Sequence, residues 1–247
     1  MPKYIKYKNS HEPENNTIDV AGVRFEIKAN QDETSIDVYG AVGFDWEKWF
    51  NDEEQNDAQT LRRKLKEINT SKIVININSL GGDYNDGIVI HDLLKSHSAS
   101  VETNVLGLTA SAATLLMQAA DKGKRRMSSN ARILVHKASG FMFGWHNSNE
   151  LISIAEDLEG FSNDAMAIYA KASGKDKEDY RSLMEERNGQ GKWITAEEAL
   201  EWGLIDEIFE PGEENQEVEK VENQNKQLIK QQLEAYKVRN LEAYLQT

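Results

Sequence analysis

Three places in this sequence carry residue types that together can perform acyl transfer. Ser111 stands between a strand-like run, Val101 to Leu106, that stops at Gly107, and a helix-like run of small apolar residues. Gly81–Gly82 follows the apolar run Ile73, Val74, Ile75 and Ile77, and His136 closes "ARILVH". Taken singly, each has an ordinary explanation: a helix-start serine caps, a Gly-Gly pair turns the chain, a lone histidine packs. Together they supply a hydroxyl nucleophile and an imidazole able to take its proton near neutral pH. They also supply backbone N–H groups, at Gly82 and Ala112, that could hold an oxyanion. Ala110, Ala112 and Ala113 would let a peptide backbone come close to Ser111, and they suit tight packing equally well.

For these residues to meet, the elements carrying them must bring three strand ends to one edge. "VRFEIKANQDETSIDVYGAVG" alternates in two stretches around a turn and predicts a strand pair. A helix follows within "WEKWFNDEEQNDAQTLRRKLKEI", with Leu61, Leu65 and Ile68 on one stripe. Next come the strand before Gly81, a helix over Ile88 to Leu94, the strand "SVETNVLG", the helix after Ser111, and "ARILVH". Strands alternating with helices predict an α/β domain with a mostly parallel sheet, whose carboxyl edge collects ligands and chemistry. Apolar residues at 151, 154, 155, 158, 161, 165, 168 and 169 predict a long helix that Gly174 ends. Thr195 with Glu198 forms a capping box before a short helix, stopped near Gly203, and a last strand.

Composition narrows the function. Of 247 residues, 42 are acidic and 29 basic, a net charge of −13 that argues against nucleic acid or an anionic membrane as the main partner. The absence of cysteine excludes disulfides, thiol catalysis and cysteine metal sites. The polar start lacks the apolar core of a signal peptide, and the run Ala110 to Ala120 falls short of the roughly 20 residues of a membrane span. A cytoplasmic protein is expected. Residues 1–17 read as a polar segment, 18–210 as the α/β domain, and 211–247 as a charged linker. The linker leads to an amphipathic helix with Ile229, Leu233, Tyr236, Leu241 and Tyr244 on one side.

"INSLGGDYNDGIVIHDLL", "GLTASAATLLMQAADKGKRRMSSNARILVH" and "TAEEALEWGLIDEI" resemble, in order and spacing, successive signature blocks of the ClpP family of serine peptidases. The resemblance runs from about Ile36 to Phe209. It implies a ClpP/crotonase-like α/β spiral of parallel-strand βαβ units, ring-shaped homo-oligomers and a Ser-His-Asp mechanism inside a closed chamber. It places the nucleophile on Ser111, the base on His136 and the oxyanion donors on Gly82 and Ala112. The helix at 150–173 resembles the family's handle between rings, and "SGFMFGWHNSN" takes the place of the glycine-rich strand and loop lining the substrate groove.

Departures accompany the resemblance. Leu80 stands for the family proline and Ala112 for its methionine, and both keep the backbone donors. The acidic third member should fall in "MEERNGQGKWITAEEA", where Asn188 occupies the aspartate position, with Glu186 and Glu185 as substitute carboxylates. Asn188 is otherwise a turn residue of "NGQG". The polar N-terminus and appended tail look like the phage-encoded branch, whose members often process capsid scaffold protein. Implied partners are a peptide or protein substrate, further copies in a ring, and an unfolding ATPase or a capsid scaffold protein. No cofactor, metal, nucleic acid or membrane is expected. Three alternatives stay open. One is a crotonase-type acyl-CoA enzyme, another a serine–lysine peptidase using Lys122 or Lys137. The third is a catalytically weak capsid-assembly protein on a peptidase-derived fold.

Overall fold

The computed structural model describes residues 25–29, 32–43 and 57–212. The chain divides into two compact units, 1–208 and 209–247, and of the second only residues 209–212 are among those described. The N-terminal segment, residues 44–56 with Trp46 and Trp49, and the amphipathic tail lie outside the described residues.

The alternating stretches near the start form β1 (Phe25–Ala29) and β2 (Glu33–Tyr39), which pair antiparallel. Helix α1 (Ala58–Leu65) buries Leu61 and Leu65, with Asp57 capping it by accepting from Thr60 N at 2.8 Å. Strand β3 (Lys72–Ser79) runs parallel to β2, and Ile73, Ile75 and Ile77 are fully buried, as a strand covered on its faces requires. Helix α2 (Tyr84–Lys95) follows, then β4 (Ser100–Ala110), α3 (Ala112–Met117), β5 (Arg125–Ser128) and β6 (Arg132–Val135). Helix α4 (Ser148–Ser173) and α5 (Lys177–Gly189) come next. The last elements are β7 (Lys192–Ile194), α6 (Ala196–Glu201) and β8 (Glu207–Phe209). The sheet order is β1-β2-β3-β4-β5-β8, with β6 joined to β4 and β7. The pairs β2–β3, β3–β4, β4–β5 and β4–β6 are parallel. This is the expected α/β architecture.

Gly107 does not end its strand. Register shifts between Ile77 and Ser79, so β4 bulges past Gly107 (φ +58) while the Asn78 side chain accepts from Leu108 N at 3.2 Å. Before the bulge β4 pairs with β5 through Thr103 to Val105; beyond it, Leu108 to Ala110 pair with β6. The bulge therefore switches partners and carries β4 directly to Ser111. Strands β5 and β7 and helix α5 are further elements that periodicity did not single out.

Arg125 ties the end of the domain to its middle. Its guanidinium bonds both carboxylate oxygens of Asp206, at 2.9 and 2.5 Å, together with Gln118 Oε1 and the Gly203 carbonyl. Gln118 in turn donates to the Leu204 carbonyl at 3.0 Å. Among the described residues no helix is long and apolar enough to cross a membrane.

Candidate active site

Ser111 ends β4 with φ +55 and ψ −134, a backbone conformation that a non-glycine residue adopts only under constraint, at a cost of about 1–3 kcal/mol. The constraint is visible on both sides. Its N–H donates to the Leu134 carbonyl of the adjoining strand at 3.0 Å. Its carbonyl accepts from Thr114 N at 2.9 Å and from Thr114 Oγ1 at 2.6 Å. Thr114 Oγ1, having given its proton to Ser111, accepts one from Tyr169 at 2.6 Å, so a buried hydroxyl relay reaches α4. Ser111 occupies the cap position of α3, yet its side chain makes no capping bond. Its half-buried hydroxyl makes no hydrogen bond among the described residues.

The turn at Gly81–Gly82 presses against this point. A Cβ on Gly81 (φ +90) would lie 2.6 Å from the Ser111 Cβ and 2.9 Å from the Ala112 nitrogen. One on Gly82 would lie 2.1 Å from the Val42 carbonyl, which accepts from Asp83 N at 2.8 Å. Both positions need glycine, because no side chain fits between Val42 and Ser111. The N–H groups of Gly82 and Ala112 have no hydrogen-bond acceptor among the described residues. Ala112 follows Ser111 directly and Gly82 follows the glycine packed against the Ser111 Cβ, so both amides are candidates for holding an oxyanion.

His136 follows β6 directly. Since Ala110 pairs with Leu134, parallel register puts Ser111 and His136 at the ends of neighbouring strands. Its Nδ1 faces the Lys137 carbonyl at 2.6 Å and must donate there, leaving Nε2 as the basic nitrogen. No hydrogen bond joins it to Ser111. The segment beyond is clamped to α4: Lys137 pairs with Glu159 at 2.5 Å and Ala138 N donates to Ser162 Oγ at 2.9 Å. Glu159, bonded by Lys137 and also by Arg181, is held below the usual carboxylate range.

Asn188 is exposed and makes no hydrogen bond to His136. Its neighbours in the turn, Gly189 and Gly191, are what approach the His136 segment. α5 leaves helical geometry at Glu186, and Arg187 and Asn188 are left-handed. The Gly189 carbonyl accepts from Lys137 N at 3.1 Å, and a Cβ on Gly191 would lie 3.2 Å from the His136 Cβ. Glu185 lies 3.9 Å from Lys137 and Arg181, and Glu186 is exposed. The stretch "SGFMFGWHNSN" contains no strand. It leaves Phe141, Phe143 and Trp145 at 94, 90 and 102% exposure, and the first half of α4 exposes Leu151 and Ile152.

The sequence did not point to the Lys137 carbonyl or to Tyr169: a backbone acceptor has no residue signature, and Tyr169 lies 55 residues from its partner. Thr114 was accessible in principle, as a hydroxyl three residues after the turn.

The Clp protease family model matches residues 51–212. The ATP-dependent Clp protease proteolytic subunit of Streptococcus sanguinis is 34% identical over 142 residues, spanning 58% of this chain and 70% of that protein. Its Streptococcus pneumoniae counterpart is 34% identical over 140 residues, covering 57% and 69%. An asparagine-to-aspartate mutant of ClpP1 from Listeria monocytogenes superposes with a TM-score of 0.55 at 24% identity, over 71% of this chain and 90% of that one, a likeness of fold.

Proposed function

Because the chain belongs to the Clp protease family, we propose that it is a serine endopeptidase with Ser111 as nucleophile and His136 as base. The observation that carries this is the strained Ser111, its hydroxyl unbonded, with the unengaged amide of Ala112 next in sequence and that of Gly82 in the turn packed against its Cβ. In the reaction His136 Nε2 takes the Ser111 proton as Oγ attacks the substrate carbonyl. The two amides hold the resulting oxyanion, and the imidazolium returns its proton to the leaving amine. Water then releases the acyl group by the same steps. The Ser111–His136 hydrogen bond forms on substrate binding, as such bonds often tighten only in the working complex. Ser111→Ala should abolish hydrolysis of fluorogenic peptides and labelling by a fluorophosphonate probe. Undiminished turnover in the pure variant overturns the assignment.

The relatives are proteolytic subunits of an ATP-dependent protease, and the same division of labour, with unfolding by a separate ATPase, suits this chain. The bare aromatic residues 141, 143 and 145 and the uncovered first half of α4 favour assembly into rings through that end, since apolar surface of this extent marks an interface. Light scattering from a monomer that still turns over peptides would contradict it. The polar N-terminus and appended tail favour a dedicated substrate such as a capsid scaffold protein. Asn188 keeps a second reading alive, a catalytically weak assembly protein, which the substitution at that position described below decides.

A further inference from the structure

Between the first turns of α2 and the middle of α4 lies a cavity of about 600 Å³. One wall is the stacked pair Tyr84 and Phe161, ring centroids 4.8 Å apart, with Ile88 beside it. The charged groups are all of one sign, Asp83, Asp92 and Asp164, and no lysine, arginine or histidine lines the space.

Its place in the fold connects it to the chemistry. Asp83 follows Gly82 directly, so the cavity begins one residue past a proposed oxyanion donor. Further along the same helix, a Cβ on Gly87 would lie 3.1 Å from the Ala112 Cβ. The opposite wall ends at Ile168, next to the Tyr169 that bonds Thr114 behind Ser111. Both walls are thus anchored to the Ser111 turn.

The polar groups are unevenly satisfied. Asp83 caps α2 by accepting from Asp86 N at 2.9 Å, and Asp92 bonds His91 at 2.9 Å. Asp164 has no hydrogen bond or ion pair among the described residues. The Tyr84 hydroxyl is shut off from solvent with no hydrogen-bond partner. Burial, and then the charge of Asp164, pushes that phenol up to about 12, so it stays neutral and can accept a bond.

We propose that this cavity receives the side chain of the substrate residue whose carbonyl is attacked, and that it selects lysine or arginine there. The proposal rests on the peptidase reading above. An aliphatic stem would lie along the Tyr84 and Phe161 rings, which also attract a cation through their faces. The charged head would reach Asp164, whose carboxylate is otherwise unengaged, with Asp83 and Asp92 adding to the field. A norleucine side chain fills the same apolar wall and leaves the carboxylates without a partner. A glutamate side chain meets three like charges.

Binding separates this from catalysis. Fluorescein-labelled peptides ending in arginine, norleucine or glutamate, which resemble the acyl product, are titrated by anisotropy against the full-length Ser111→Ala protein. The arginine peptide should bind about tenfold more tightly than norleucine, and glutamate least. Adding Asp164→Asn should bring arginine and norleucine within about twofold. Asp164→Lys, also at an exposed position, should reverse the order of arginine and glutamate. Equal binding of arginine and norleucine, or a preference that survives Asp164→Asn, overturns the proposal. Turnover by the parent chain decides the other matter. Faster cleavage after leucine than after arginine removes the selectivity and leaves a peptidase, whereas failure to hydrolyse any peptide or label Ser111 removes the peptidase. The binding series still judges the cavity in that case.

Discussion

Replacing Thr114 by valine should cost far more than replacing Tyr169 by phenylalanine, and the two changes together should cost less than the separate losses combined. Thr114 Oγ1 gives its proton to the Ser111 carbonyl and accepts that of Tyr169, each at 2.6 Å, in a region where Thr114 is 0% and Tyr169 3% exposed. Valine deletes the bond to Ser111, worth about 1 kcal/mol, and strands the Tyr169 hydroxyl without a partner, costing about 2 kcal/mol more. Tyr169→Phe deletes one bond and strands nothing that cannot be tolerated, a loss of about 1 kcal/mol. In the double variant the stranded hydroxyl is gone, so its cost should be about 2 kcal/mol, against about 4 kcal/mol for the singles combined. Burial pushes the Tyr169 phenol far above its ordinary value, so no ionisation intrudes at working pH. Urea unfolding at one fixed protein concentration measures the cycle, and fluorophosphonate labelling of Ser111 reports whether the strained turn relaxes. Labelling should slow most in Thr114→Val. Additivity within about 0.5 kcal/mol would refute the relay and leave the Ser111 conformation to its strand neighbours.

Two further outcomes are expected. Asn188→Asp should raise peptide turnover, because a carboxylate in the turn that abuts Lys137 can draw His136 Nδ1 from the neutral carbonyl and stabilise the imidazolium; steady-state kcat unchanged from the parent places that turn outside the mechanism. Asp206→Asn should cost about 3 kcal/mol in urea unfolding at pH 7, since the Arg125 side chain, 6% exposed, loses its counter-charge. Burial raises the Asp206 carboxyl, but its bonds from Arg125 outweigh this and hold it below the ordinary 3.8. A depressed folded-state value stabilises fully above the unfolded one and is lost as pH falls through the folded one, so parent and variant should converge only below about pH 4. Convergence already at pH 6 would contradict this.

How much of this was legible in the sequence varied with the range of the interaction. Local signals were sufficient for the capping box of Thr195 and Glu198, whose reciprocal bonds form at 3.3 and 2.9 Å, and for Gly174, left-handed at the end of α4. They were sufficient too for placing Gly82, Ser111 and His136 at strand ends, because each follows an apolar run. Gly107 was a true break whose consequence depended on partners: only with β3, β5 and β6 in place does a break become a bulge instead of an end. Strand β5, "RRMS", carries two arginines, and what makes it a strand is its parallel backbone pairing with Thr103 to Val105 of β4, a partner no local signal names. The acceptor of His136 is a carbonyl, the one group every residue carries, so composition could not have found it.

That clasp also dictates the order in which the molecule can be completed. Arg125 leaves the ribosome 81 residues before Asp206, and the carbonyl of Gly203 follows 78 residues after it. At a translation speed of about 5–20 residues per second, the guanidinium waits about 4–16 s for its carboxylate. During that interval β5 has a cation where the finished fold has a buried ion pair, and the sheet keeps an unsealed edge at β5, where β8 will sit. The turn that shapes Ser111 can form earlier from neighbouring segments, whereas the body that supports it closes only once synthesis has passed Asp206.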